Sequence, residues 1–319
     1  MVRSLDFHRS MPGYAPTPLV DVPALADELG IAGVWVKDES NRFGLPAFKV
    51  LGASWAVNRA LGPARTFAEL ADSVAGRALT LVTATDGNHG RALAYLARSL
   101  RLASRIYVPD GLPHSTLQPI RDEGAAVVET GNSYDDTVRI AAASVRTGDV
   151  LIQDTSWPGY EDVPRWIVAG YGTLFREIDE QLPGAPGLVA VPTGVGSLLQ
   201  SAIEHYQADR TTILAVEPAT AACVAASLQA GTPVSVDTST PTIMAGLNCG
   251  TVSAIAWPAI RDRLDTAVTI TDDEARAAMH LLHNHNIPAG PCGAAPLAAL
   301  RTTRLPPRTT ALLICTEGG

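Results

Sequence analysis

The chain has 319 residues, of which 46% are hydrophobic and 18% charged, and its formal net charge is −8. This length predicts more than one lobe, and this composition is typical of a globular protein. The negative charge disfavours a nucleic-acid partner or an anionic membrane surface. No apolar run is long enough to span a bilayer, and residues 1–10 lack a signal-peptide core. We therefore expect a cytoplasmic protein.

The predicted elements begin with an extended, proline-stiffened segment at residues 12–19 and a short helix at 24–29, followed by a strand at 34–36. From there, apolar strands alternate with helices. The strands are predicted at 79–84, 105–108, 125–129, 150–153, 188–191, 213–216 and 311–315. The helices are predicted at 90–100, 115–122, 134–146, 163–181, 197–206, 219–229 and 272–285. This alternation predicts an α/β fold with parallel sheets flanked by helices.

The four cysteines, Cys223, Cys249, Cys292 and Cys315, have neither the CxxC spacing nor the cysteine–histidine spacing of a metal site. Reduced thiols are expected, and a bridge between Cys223 and Cys249 stays open. The 7 histidines show no ligand constellation either. No metal site is predicted.

Residues 37–61 contain both lysines of the chain, Lys37 and Lys49, among 24 lysine and arginine residues. Small and apolar neighbours surround Lys49, which favours a desolvated amine that reacts as a nucleophile. The alternative is a lysine that packs its stem and extends its head into water. Lys37 is interpreted as a strand-end charge beside Asp38 and Glu39.

Two glycine-rich turns each join a predicted strand to a predicted helix. The first reads TATDGNHG at residues 83–90, where backbone N–H groups could bind an anion or Asp86 or Asn88 could cap the helix. The second reads VPTGVGSL at residues 191–198. Because the third glycine of a dinucleotide motif and a Walker lysine are missing, this turn favours a single phosphate.

Two further strand ends carry polar groups. Asp154 closes an apolar strand, where a buried carboxylate needs a partner or has a perturbed pKa; structural capping is the alternative. Thr316 places a hydroxyl after the last strand, before the final glycines.

Together and in this order, these segments resemble the fold-type II pyridoxal-phosphate enzymes, the tryptophan synthase β-subunit superfamily, and within it diaminopropionate ammonia-lyase. The similar blocks are KDESNRFGLPAFKVLG, TATDGNHGRALAYLAR, QDTSWPGY, PTIMAGLNCG and CTEGG. The aspartate of TDGNHG is the specific mark, because relatives that deaminate serine or threonine carry Ser-Ser-Gly-Asn-His or a close variant. Residues 290–294 depart from the Glu-Ser-Gly-like block of the family.

The resemblance implies pyridoxal 5'-phosphate as cofactor, held by a Schiff base at Lys49. Asn88 would bond to the ring hydroxyl. Thr316, with Cys315 as the neighbouring alternative, would face the pyridine nitrogen. The phosphate would be held by five consecutive residues, namely Gly194, Val195, Gly196, Ser197 and Leu198.

The resemblance also implies acid–base roles for Asp86 and Asp154. Each would take the α-proton from one face of the substrate, so that both enantiomers could react, and a carboxylate would attract a β-ammonium leaving group. The implied reaction is β-elimination from a small amino acid, with 2,3-diaminopropionate giving pyruvate and two ammonia.

The alternatives are a serine or threonine dehydratase, a β-replacing synthase of specialised metabolism, a nucleotide-dependent oxidoreductase that uses Gly194-Val195-Gly196, and a non-catalytic binding protein.

The expected architecture has two lobes. Residues 1–50 and 160–319 would form the larger, cofactor-binding lobe, and residues 51–159 the smaller one. A homodimer is expected from the resemblance.

Overall fold

The computed structural model describes residues 3–208 and 210–319. The chain divides into two compact units. The first unit comprises the chain as far as Ala15 together with Lys49–Thr173, and the second comprises Pro16–Phe48 and Leu174–Gly319. The lobe boundaries expected near residues 50 and 160 stay a prediction.

The strands and helices alternate along most of the chain. The strands are β1 Leu19–Asp21, β2 Gly33–Asp38, β3 Thr80–Ala84, β4 Ala103–Val108, β5 Ala126–Glu129, β6 Asp149–Leu151, β7 Leu188–Pro192, β8 Thr212–Pro218, β9 Thr266–Ile270 and β10 Thr310–Cys315. The helices are α1 Ser4–Arg9, α2 Pro23–Leu29, α3 Lys49–Leu61, α4 Phe67–Val74, α5 Asn88–Ser99, α6 His114–Asp122, α7 Tyr134–Ala143, α8 Asp162–Gln181, α9 Ser197–His205, α10 Cys223–Ala230, α11 Trp257–Arg263, α12 Asp272–Asn284 and α13 Pro291–Thr302. A 3₁₀ turn spans Ala245–Leu247.

Each unit is built on its own sheet. The first unit contains a parallel four-stranded sheet in the order β5-β4-β3-β6. The second contains a six-stranded sheet in the order β1-β2-β10-β7-β8-β9, in which β1 runs antiparallel to β2 and the other described pairs are parallel. The predicted α/β fold with parallel sheets is therefore confirmed. Because the carboxyl ends of parallel strands share one edge, side chains that follow neighbouring strands come close together.

Helix α13 is a 12-residue element that the sequence pattern did not predict. All residues from Cys292 to Leu300 are buried, and α13 packs in the core of the second unit. A helix that is apolar and small on every side has no amphipathic period, so periodicity could not reveal it. The short edge strand β1 was missed for a related reason, because three residues are too few for an alternation to be recognised.

Lys37 lies near the end of β2, and its amine is fully buried. The Nζ atom donates to the carbonyl oxygen of Thr17 at 2.8 Å, to Oε2 of Glu177 at 2.9 Å and to Oε1 of Gln181 at 2.9 Å. Three acceptors therefore satisfy the three hydrogens of the ammonium group.

Arg42 extends these contacts into a buried charge cluster. Its guanidinium donates to both carboxylate oxygens of Glu177, at 2.7 and 2.8 Å, and to Glu39 at 2.6 and 2.9 Å. Burial would raise the pKa of Glu177, but the contacts with Arg42 and Lys37 outweigh burial and lower it to about 2. Two cations and two carboxylates thus compensate one another inside the second unit.

Three further observations concern residues 3–208 and 210–319. No helix in this part of the chain is long and apolar enough to cross a membrane. No group of three or more histidine, cysteine, aspartate or glutamate side chains there could hold a metal ion. All four cysteines are free thiols.

Replacing Glu177 by Gln should destabilise the protein strongly, because Lys37 and Arg42 would keep their charges and lose one of their two carboxylate partners. The expected loss in the free energy of unfolding is about 3–5 kcal/mol. Urea unfolding followed by circular dichroism measures it. The matched control is Asp273→Asn, which removes the exposed ion pair with Arg276 and should leave the unfolding midpoint nearly unchanged. Equal shifts in the two variants would contradict the role of the cluster.

Candidate active site

The predicted nucleophile and one predicted acid–base residue are in contact. Lys49 is the first residue of α3, and its Nζ atom donates to Oδ2 of Asp154 at 2.8 Å. Asp154 follows β6, which pairs in parallel with β3. The turn that carries Asp86 and Asn88 follows β3, so the shared edge of the sheet explains why these distant residues converge.

Electrostatics hold the Lys49–Asp154 pair in its ionised form. Burial opposes the charge on Lys49, but the negative charge of Asp154, followed by smaller contributions from Tyr171 and Asp86, raises the pKa of the amine above its usual value. Burial likewise opposes the charge on Asp154, yet the positive charge of Lys49, the largest opposing cause, lowers its pKa to about 2. The apolar neighbours of Lys49 gave no sign of the facing carboxylate, and the lysine side chain is 24% exposed.

Gln153 orients the second oxygen of Asp154. Its side-chain nitrogen donates to Oδ1 of Asp154 at 3.2 Å and to the hydroxyl of Tyr134 at 3.2 Å. Its side-chain oxygen accepts hydrogen bonds from the hydroxyl of Thr83 and the N–H of Ala84, both at 2.9 Å. The amide of Gln153 is thus held at both ends, and it fixes the rotation of the carboxylate.

The turn that carries Asp86 and Asn88 is shaped by Thr85. The Thr85 hydroxyl accepts hydrogen bonds from the N–H groups of Gly87 at 2.9 Å and Gly90 at 3.0 Å. Asn88 is the first residue of α5. Asp86 is close enough for its negative charge to contribute to the raised pKa of Lys49. Both predicted acid–base carboxylates therefore act electrostatically on the same amine.

Tyr171, which no motif marked, packs against α3. A Cβ atom on Gly52 would lie 2.5 Å from Cε1 of Tyr171, and one on Gly170 would lie 2.5 Å from the carbonyl oxygen of Leu51. These glycines therefore let α3 and α8 approach until the tyrosine ring covers the first turn of α3. Burial raises the pKa of Tyr171 to about 12, and the nearby Lys49 charge opposes that rise.

In the second unit, the predicted phosphate turn follows β7 and leads into α9. Gly196 has a φ of 96°, and a Cβ atom there would lie 2.8 Å from Cδ1 of Ile260. A Cβ atom on Gly194 would lie 2.8 Å from Sγ of Cys249. The positive φ therefore favours glycine at position 196, and the close approach of Cys249 favours it at position 194. Helix starts present N–H groups without intrahelical acceptors, which is the donor set that a phosphate needs.

The other residues of this turn are firmly placed. The carbonyl of Val195 accepts a hydrogen bond from the N–H of Ser253 at 2.8 Å. Ser197 and Leu198 are the first two residues of α9, and both are buried. The backbone of this turn is therefore held in place, and its binding of a phosphate stays a prediction.

Thr316 follows β10, the strand that pairs with β7. Its side chain is buried, and among the described residues its hydroxyl oxygen has no hydrogen-bond partner. An unsatisfied buried hydroxyl costs about 1–3 kcal/mol, so a ligand atom or a water that bonds to this oxygen would be stabilising. The pyridine nitrogen of pyridoxal phosphate fits that need. Sγ of the alternative residue, Cys315, lies 3.6 Å from the carbonyl oxygen of Glu317.

Residues 290–294, which depart from the resemblance, pack against the segment that carries Thr316. The N–H of Gly290 donates to the carbonyl oxygen of Glu317 at 2.9 Å, and the N–H of Cys292 donates to Oε1 of Glu317 at 3.2 Å. The residues that differ from the family pattern therefore lie next to the segment of Thr316, which is predicted to contact the ring nitrogen of the cofactor.

Comparison with known proteins agrees with this geometry. The family described as pyridoxal-phosphate dependent enzyme matches residues 11–317, and the chain belongs to that family. Its cofactor is pyridoxal phosphate, as predicted.

Individual relatives point within the family to one group. Diaminopropionate ammonia-lyase of Salmonella typhimurium is 40% identical over 297 residues, covering 86% of this chain and 72% of that protein. A crystal structure of Escherichia coli diaminopropionate ammonia lyase, in complex with an aminoacrylate-PLP azomethine reaction intermediate, matches with a TM-score of 0.88 and 32% identity, covering 99% of this chain and 87% of that one. A biosynthetic L-threonine dehydratase of Mycobacterium leprae is 32% identical over 323 residues, covering 97% of this chain and 70% of that protein. The predicted resemblance to diaminopropionate ammonia-lyase is confirmed.

Replacing Gly52 by Ala should displace Tyr171, because the added methyl group would overlap the ring. The expected loss in the free energy of unfolding is about 1–3 kcal/mol, and tyrosine absorbance in the near ultraviolet reports the altered ring environment. The control is Gly184→Ala, where a Cβ atom would meet nothing within 4 Å. If both variants unfold like the wild type, the packing of Tyr171 on α3 is refuted.

Replacing Asp154 by Asn should lower the pKa of Lys49, because burial would then act without its main opposing charge. In cofactor-free protein, the pH dependence of amine acetylation at Lys49, followed by peptide mass spectrometry, measures this change. Asp86→Asn should shift the same curve in the same direction by less, since Asp86 contributes less to the raised pKa. An unshifted curve in Asp154→Asn would argue against the ion pair.

Proposed function

We propose that this protein is a pyridoxal-phosphate dependent β-eliminating ammonia-lyase that converts 2,3-diaminopropionate into pyruvate and two ammonia. The main support is that the carboxylates of Asp154 and Asp86 both raise the pKa of the Lys49 amine, and that Asp154 accepts a hydrogen bond from it. The relatives named diaminopropionate ammonia-lyase support the same substrate.

The residues toward the cofactor have distinct proposed roles. Bound pyridoxal phosphate supplies a carbonyl carbon that an amine can attack and a ring that withdraws electrons from the substrate. Lys49 is the proposed amine, and Asn88 would bind the ring hydroxyl. Residues 194–198 would bind the phosphate. Thr316 would offer a neutral hydroxyl to the ring nitrogen, which would leave that nitrogen largely unprotonated and favour elimination.

Asp154 has a role before the substrate reacts. The resting amine of Lys49 is protonated, and an ammonium group is not a nucleophile. Asp154, at 2.8 Å, is placed to accept that proton when the amine reacts. The carboxylate that holds Lys49 in its charged form is therefore also a base in direct contact with the amine.

The two carboxylates also suit the proposed leaving group. The α-proton moves to Asp154 for one enantiomer and to Asp86 for the other. The electron pair left at the α-carbon forms the new double bond as the bond from the β-carbon to nitrogen breaks. A β-ammonium leaves as neutral ammonia and needs no proton from an acid. Carboxylates attract that ammonium, whereas a serine at position 86 would provide no opposite charge.

The substrate is tested by pyruvate release from D- and L-2,3-diaminopropionate, set beside serine, threonine and O-acetylserine. We expect kcat/KM to be highest with diaminopropionate. Lys49→Ala should lose both the activity and the visible absorption band of the bound cofactor. A protein that cannot be reconstituted with pyridoxal phosphate contradicts the proposal, and preferred turnover of serine or threonine would make the protein a dehydratase.

The acid–base roles are tested by Asp86→Asn and Asp154→Asn. Each amide keeps the shape of the side chain and removes the base, so each variant should lose about 10²–10⁴-fold in kcat for one enantiomer. The other enantiomer serves as the internal control in each case. Full activity of both variants toward both enantiomers would show that the assignment is wrong.

We further propose that the enzyme acts as a homodimer in the cytoplasm, an expectation that rests on the resemblance. Sedimentation of the holoenzyme tests the assembly. A monomer at the concentrations used for catalysis would contradict it.

A further inference from the structure

His89 is buried beside the Lys49–Asp154 pair, and the proposed function gives it no role. It is the second residue of α5, and its side chain is 2% exposed. Its Nε2 atom lies 2.7 Å from the carbonyl oxygen of Ile152. Because a carbonyl oxygen only accepts hydrogen bonds, Nε2 must carry a hydrogen.

The other ring nitrogen faces the carboxylate. Nδ1 of His89 lies 4.0 Å from Oδ2 of Asp154, and it has no hydrogen-bond partner among the described residues. Burial lowers the pKa of His89, and the Lys49 charge adds to that effect while Asp154 opposes it. An imidazolium would carry a second N–H at Nδ1, for which no acceptor lies within hydrogen-bond distance among the described residues, so this geometry favours the neutral ring. The Nδ1 lone pair then faces an ionised carboxylate that has no hydrogen to donate.

We propose that His89 is a positioning residue for Asp154, whose Nδ1 accepts a hydrogen bond from the carboxyl group once Asp154 has taken the α-proton of the substrate. This inference rests on the proposed function. In that step the C–H bond breaks, its electron pair stays with the α-carbon, and the proton forms an O–H bond on Asp154. The O–H group then donates to Nδ1. A hydrogen bond requires the two atoms to approach by roughly 1 Å.

The arrangement favours the protonated form of Asp154 specifically. A hydrogen bond that exists only when a carboxyl is neutral makes the carboxylate a stronger base. The other titratable groups that affect the pair come from different elements: Lys49 from α3, Tyr171 from α8, Asp86 from the turn before α5, and Tyr160 after β6. Among these groups Lys49 acts on the carboxylate through its charge, whereas the proposed contact of His89 acts on the O–H group itself.

The first test is the tautomer of His89 in the holoenzyme, read by ¹⁵N NMR of histidine-labelled protein and assigned by the signal missing from His89→Leu. We expect a hydrogen on Nε2 and none on Nδ1 throughout the working pH range. A hydrogen on Nδ1, in either the other neutral tautomer or the imidazolium, would overturn the proposal. This measurement does not depend on the identity of the substrate.

The second test compares the two enantiomers of 2,3-diaminopropionate in His89→Leu. For the enantiomer that Asp154→Asn impairs, kcat/KM should fall about tenfold or more, and the acid limb of its pH profile should move to lower pH by about one unit. The enantiomer that Asp86 serves should keep its rate within about twofold, a result that a folding defect would not give.

Equal losses for both enantiomers, or an unmoved acid limb, would refute the role of His89. If a single enantiomer reacts, the double variant His89→Leu/Asp154→Asn decides instead. It should be no slower than Asp154→Asn alone, because the missing hydrogen bond requires a carboxyl at position 154. A further loss would overturn the proposal. If the wild type releases no pyruvate from either enantiomer, the proposed function fails, and the tautomer measurement still judges His89 independently.

Discussion

The contact between the Lys49 ammonium and the Asp154 carboxylate constrains the surrounding part of the first unit. A buried ion pair is tolerated only when each ion is well oriented and its remaining hydrogen-bonding capacity is satisfied. Gln153 occupies the second carboxylate oxygen, and Gly52 leaves room for Tyr171 to pack beside the amine. The neighbours of this pair therefore hold two opposite charges in place in a partly buried position.

The second unit shows why the chain keeps lysine at position 37 while most of its other cations are arginine. The Lys37 amine meets three acceptors at 2.8–2.9 Å, which matches the three hydrogens of a compact ammonium group. A planar guanidinium would present its donors in a different geometry. The guanidinium of Arg42 is suited to a different role, because its planar donors reach the carboxylates of Glu177 and Glu39 at once. The two cation types are therefore not interchangeable within the cluster.

The sequence predicted the parts of the site that follow from strand order. Asp86 and Asp154 each follow an apolar strand of the same sheet, and parallel strands bring such positions together. Tyr171 could not be predicted, because it lies in a long helix without a motif and reaches Lys49 only through the close approach at Gly52. The role of Thr85 in shaping its turn was also hidden, since the sequence offered Asp86 or Asn88 as the capping residue.

The basicity of Asp154 depends on whether Lys49 is charged or neutral. This dependence determines the order of the proton transfers in the proposed mechanism. Beside the Lys49 ammonium Asp154 is a very weak base, with a pKa of about 2, so the resting protein keeps the carboxylate ionised and unreactive. When Lys49 gives up its charge, the main cause of that low pKa disappears, and burial then favours the neutral acid. The same carboxylate can then accept a proton from the substrate, because its pKa has risen. The desolvation that makes the resting pair costly is therefore what strengthens the base at the stage where a base is needed.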